Sequence, residues 1–182
     1  FPFILVIGFL IAGGSGIRHF IISYYHTPVR DIFVGVLCGV ALFLFSYTGY
    51  DRRYKVVGDL AALFALGVAF FPTSESLTGT VHLVSAALFF LLLAYFSVFL
   101  FTKGSDQPTP AKLKRNRLYR VCGYTIAACI LLMLVYSLFS TLQEALSGCR
   151  TIFWLETLAL LAFGLSWLTK GKVLLQDARK EE

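Results

Sequence analysis

The chain has 182 residues, 58% of them hydrophobic and 14% charged, with a net charge of +6 and a mean hydropathy of +0.77. A soluble domain carries about 25% charged residues. Here the charges are confined to short stretches between long uncharged runs, which excludes an ordinary soluble core and leaves no polar domain to present a nucleic-acid surface.

Six apolar runs follow one another. The first, 1–17, is glycine-rich at its end and shows no cleavage pattern, so it reads as a retained helix and not as a signal peptide. The second, 32–50, is preceded by Thr27-Pro28, the expected N-cap and first helical residue. The third, 56–71, contains Asp59 and stops at Pro72, before a polar turn over 73–80. The fourth, 81–102, carries His82 at its start. Gln107-Pro108-Thr109-Pro110 then forms a loop whose last two residues suit another helix start. A basic stretch from Lys112 leads into the fifth run, 119–142, and the sixth, 152–169, contains Glu156.

A spanning helix takes about 20 residues. Lipid offers no partner to backbone polar groups, so helices are the default, and the runs lack the alternation of barrel strands. The expected fold is therefore all-α: a single transmembrane domain over 1–182, a polytopic bundle of six helices. Orientation follows from the basic residues in alternate loops. Arg52, Arg53 and Lys55, then Lys103, Lys112, Lys114, Arg115, Arg117 and Arg120, then Lys170, Lys172, Arg179 and Lys180 fall on one side. Only Arg18, Arg30 and Arg150 fall on the other. Both termini are expected in the cytoplasm, with the basic stretch from Lys112 to Arg120 near anionic head groups.

Smaller patterns add detail. Cys38, Cys122, Cys129 and Cys149 form no C-x-x-C pair, and three of them lie in apolar runs as small hydrophobes. Gly35 and Gly39 form a GxxxG, and Gly58 to Ala62 a small-xxx-small pair, both expected to pack helices within the bundle. No lysine sits in a span centre, no G-x-S-x-G or P-loop occurs, and the three histidines lie near one surface, which leaves no facing pair for haem.

The candidate site lies on the outer side. In Ser23-Tyr24-Tyr25-His26-Thr27-Pro28-Val29-Arg30-Asp31 the tyrosines suit an interfacial belt and Asp31 suits the first helical turn. His26 and Arg30 have no such account. Glu75, His82 and Glu156 fall on the same side. Glu156 lies about 6 Å below the surface at 1.5 Å per residue, where an acid should face the bundle interior and hold a partner, for which Arg30, Arg150, His26 or His82 could each serve. The candidate ligand-binding set is His26, Arg30, Asp31, Glu75, His82 and Glu156. His26, His82 and Glu156 also resemble a zinc ligand set with one open position, although no H-E-x-x-H occurs and no cofactor is predicted. Asp59 is expected to pair with Arg52, Arg53 or Lys55, with a relay to Glu156 as the sharper alternative.

The stretch from Tyr24 to Gly35, followed by Gly49-Tyr50-Asp51-Arg52 and a span like Gly58 to Pro72, resembles a group of uncharacterised bacterial six-span membrane proteins. More remotely, the layout is similar to the DRAM-like six-span family, which includes proteins of lipid-anchor remodelling. The first resemblance implies a bacterial cytoplasmic (inner) membrane protein, and the second implies lipid handling without carrying over any catalytic residue. The leading expectation is an outward polar pocket that binds a lipid head group or small polar ligand. The alternatives are a metal-assisted membrane lipid hydrolase using zinc, and a structural or accessory subunit that partners other membrane proteins.

Overall fold

The computed structural model describes residues 1–49, 51–73, 77–104 and 109–171. Every element among them is helical. In chain order they are α1 (Pro2–Ile11), a 3-10 helix (Ile21–His26), α2 (Arg30–Ser46), α3 (Arg52–Phe70), α4 (Leu77–Tyr95) with a π-helical turn (Phe96–Leu100), α5 (Pro110–Leu138), α6 (Ser140–Ala145) and α7 (Thr151–Lys170). Three helices are long and apolar enough to cross a membrane: Leu77–Leu100, with 24 residues, Pro110–Leu138, with 29, and Thr151–Lys170, with 20. At 1.5 Å per residue the shortest is about 30 Å long, the thickness of a hydrocarbon core. α2 has 17 residues, and the first turns of α3 carry Arg52, Arg53, Lys55 and Asp59.

Local chemistry sets the helix ends. The Asp51 carboxylate accepts the N–H of Arg53 at 2.8 Å and of Tyr54 at 3.4 Å, which starts α3. Thr109 accepts the Lys112 N–H at 3.2 Å, and Pro110 follows as the first residue of α5, as the sequence predicts. The start of α2 differs from expectation, because Arg30 and not Pro28 is its first residue. The Thr27 hydroxyl donates to the Tyr24 carbonyl at 2.7 Å and accepts the Val29 N–H at 3.4 Å, so Thr27 both closes the 3-10 helix and caps the turn that leads into α2. α1 is 10 residues long and ends at Ile11, short of residue 17. Gly13 and Gly16 then adopt φ of 85° and 72°, which turns the chain back.

Sequence neighbours pack in order from α2 to α5, and α7 closes against α5. α2 buries Phe33, Leu37, Ala41 and Leu44, one residue per turn. α3 faces it with Gly58, Ala61 and Ala62 buried. A Cβ on Gly58 would stand 2.8 Å from the Leu44 carbonyl oxygen, so the small-xxx-small pair does bring two helices together. The GxxxG does not. Gly35 lies two residues off the buried stripe of α2, which rotates it about 200° away at 100° per residue, and a Cβ on Gly35 or Gly39 would meet nothing within 4 Å.

The bundle has two apolar cores. One gathers Leu5, Phe9, Tyr24, Phe33, Leu37 and Phe153 beside the 3-10 helix. The other gathers Tyr54, Phe96, Leu100, Phe101 and Tyr119, with Trp167 against it. The outer surface is apolar too: Leu91, Phe99, Leu131, Leu132, Leu158, Leu161, Leu165 and Leu168 are all exposed.

Candidate functional site

The 3-10 helix is tied to the start of α7 by three hydrogen bonds. Arg150 adopts a left-handed backbone, with φ of 50°, and its Nε donates to the Ile17 carbonyl. The Phe153 N–H donates to the His19 carbonyl at 3.1 Å. The Ile21 N–H donates to Glu156 Oε2 at 2.8 Å. Glu156 therefore covers the first amide of the 3-10 helix, a donor that its own helix leaves unpaired.

His82 sits on the second turn of α4 and is 6% exposed. Its Nδ1 lies 2.8 Å from the carbonyl oxygen of Phe71, the C-cap of α3. A carbonyl only accepts, so Nδ1 carries the proton, and Nε2 of the neutral ring is an acceptor.

His82 and Glu156 line one cavity of about 40 Å³. Its walls come from the 3-10 helix (Ile21, Ile22), α2 (Phe33, Leu37), α3 (Val68), α4 (Ala86, Phe89, Phe90), α7 (Leu160) and Phe1. That space takes roughly two or three waters at about 15 Å³ each. It suits a small functional group more than a whole head group. A carboxyl oxygen and a neutral imidazole Nε2 both accept, so a hydroxyl or amine complements them.

His26, Arg30 and Asp31 are not among the cavity-lining residues. His26 is exposed, with its ring 5.3 Å from that of Tyr25. Arg30 is exposed, donates to the Tyr25 hydroxyl at 2.9 Å and lies 4.6 Å from the centre of its ring. These contacts supply the account that His26 and Arg30 lacked in the sequence. Asp31 is exposed in the first turn of α2. Glu75 lies outside the described residues. Among the described residues no three His, Cys, Asp or Glu side chains gather as a metal site would need. Asp59 pairs with Lys55 at 2.6 Å, four residues earlier on the same helix.

Two residues differ from expectation: Tyr24, expected in an interfacial belt, and Arg150, expected as one possible partner of Glu156, which bonds the Ile21 amide instead. Tyr24 is fully buried, and its hydroxyl accepts the Arg18 N–H at 3.2 Å. Arg150 reaches back 133 residues to Ile17. Neither has a local signal, since the partner is a backbone group on another segment. Comparison with known protein families, with curated proteins and with solved structures gives no match. The class that the fold defines, over the described residues, is an all-helical protein with three helices long and apolar enough to cross a membrane.

Proposed function

We propose that the chain is an integral protein of a bacterial cytoplasmic membrane. It is a six-crossing bundle with both termini in the cytoplasm, and its outward cavity binds the hydroxyl or amine of a lipid head group or another small polar ligand. One observation carries the reading of the site: two ionisable groups of the apolar helices, His82 and Glu156, line the same cavity. Ionisable groups at membrane depth are costly and mark function by default. The membrane reading is supported by exposed leucines and phenylalanines along α4, α5 and α7, where a helix in water would present polar residues.

The test uses the full chain in nanodiscs of phosphatidylethanolamine and phosphatidylglycerol, with retained lipid or small molecule counted by native mass spectrometry. His82→Ala and Glu156→Ala should each lose the retained species while keeping the helical circular dichroism of the parent. Retention unchanged in both variants overturns the reading. A structural role is favoured by a different observation, that each group already bonds a backbone end. It predicts lower thermal midpoints in both variants and no retained species in the parent.

A further inference from the structure

Apart from His82 and Glu156, every side chain on the wall of their cavity is apolar. Four of these are phenylalanines. Phe1 and Phe33 pair with ring centres 5.9 Å apart, and Phe89 and Phe90 with centres 5.8 Å apart. Glu156 takes one neutral donor, the Ile21 amide. Neither ion pair among the described residues includes its carboxyl: Lys55 takes Asp59, and Lys103 takes Asp51. Arg150, the N-cap of α7, gives its Nε to the Ile17 carbonyl. The Nδ1 of His82 is engaged by the Phe71 carbonyl. The cavity therefore combines an acid, an imidazole acceptor and aromatic walls.

We propose that this cavity selects a primary ammonium group, borne either by the ethanolamine head of a lipid or by a free amine. This choice of ligand class rests on the reading of the cavity as a ligand site given above. A carboxylate in apolar surroundings needs a cation or several donors, and the Ile21 amide is a single neutral one. An ammonium brings a positive charge and three N–H donors, which suit the two acceptors on the wall. The phenyl rings separate it from a hydroxyl, because their faces attract a cation and give a neutral group no such gain. Size separates it from a quaternary ammonium. The cavity, about 40 Å³, has room for roughly two or three waters, which matches a nitrogen and its carbon. A trimethylammonium adds three methyl groups and has no N–H to give to either acceptor.

The experiment follows the thermal midpoint of the full chain in neutral detergent, titrated separately with phosphatidylethanolamine, phosphatidylcholine, phosphatidylglycerol and ethanolamine. A ligand of the folded state raises the midpoint. Phosphatidylethanolamine should raise it by several degrees. Phosphatidylcholine, which differs in the methylation of its nitrogen, and phosphatidylglycerol, which offers hydroxyls without a cation, should not. Ethanolamine matching the lipid identifies a free amine as the ligand, whereas a response to the lipid alone identifies the lipid. Glu156→Gln keeps an acceptor for the Ile21 amide but no charge. It should hold the parent midpoint without ligand and weaken the phosphatidylethanolamine effect at least about tenfold. Phe90→Leu leaves Glu156 intact and removes one ring, and should weaken the effect about twofold to fivefold. Asp31→Asn, at an exposed acid off the cavity, should leave it unchanged. A phosphatidylcholine or phosphatidylglycerol effect equal to that of phosphatidylethanolamine overturns ammonium selection but leaves a ligand site standing. An unweakened effect in Glu156→Gln and Phe90→Leu overturns it too. Silence of all four probes overturns the ligand site as well.

Discussion

Asp51 joins three segments through one carboxylate: it takes the Lys103 ammonium from beyond α4 and two amides from the first turn of α3. The Lys103 hydrogen bond first, then the Arg53 and Tyr54 amides, hold its carboxyl below the usual carboxylate range. A carboxyl whose folded pKa is depressed stabilises the fold above its unfolded value, about 3.9, and that contribution is lost as pH falls through the folded value. The thermal midpoint in detergent should therefore drop as the pH falls below about 4. Asp51→Asn keeps an N-cap acceptor but cannot titrate, so its midpoint should fall less over the same interval. Parallel pH profiles would show that other carboxyls carry the acid sensitivity. The cap and its neighbouring cations are visible in the sequence, but the choice of Lys103 among several lysines is not, because it depends on where two loops meet. Glu156 behaves likewise. Its depth in an apolar run foretells a partner, yet the partner is the amide of Ile21, which no side-chain pattern can signal.

At the scale of elements, the glycines separate two kinds of small-residue pattern. Gly58 meets the backbone of α2, so a larger side chain there cannot be relieved by a rotamer change. Gly58→Leu should cost about 1–3 kcal/mol through overpacking, read as a lower thermal midpoint. Gly35→Leu, on the open face of α2, should leave the midpoint unchanged or raise it slightly, since leucine is the better helix former. If the two variants lose equal stability, the assigned faces of α2 are wrong. Helix starts were legible where a cap residue had no competing bond, as at Thr109. Thr27 serves two turns at once, accepting the Val29 N–H and donating to the Tyr24 carbonyl, and the regular helix begins only at Arg30. The GxxxG was misjudged for a related reason. Spacing shows that two glycines share a face, and only the buried stripe of Phe33, Leu37, Ala41 and Leu44 shows that this face points away from the bundle.

For the whole molecule, the apolar runs made the helical class legible, because helices close their own backbone bonds. The cavity lined by His82 and Glu156 was not legible, since it takes residues from several segments. The charge pattern alone supports the orientation, through the excess of Lys and Arg in cytoplasmic loops. The ends that carry it do come together: Lys103 meets Asp51, and Lys112 reaches the carbonyls of Phe101 and Lys103 at 3.1 Å each. Arg150 and Glu156 gather with the 3-10 helix instead. The chain carries its own probe of this arrangement. Cys149 is exposed between α6 and α7, whereas Cys122 and Cys129 are buried and Cys38 is half-buried on α2. A membrane-impermeant maleimide should therefore label intact cells at Cys149, and Cys149→Ser should abolish that signal. Lys114→Cys in the Cys149→Ser background should label only after permeabilisation, because Lys114 belongs to the basic end. Labelling of Cys149 confined to permeabilised cells would invert the bundle. It would move the His82–Glu156 cavity to the cytoplasmic side.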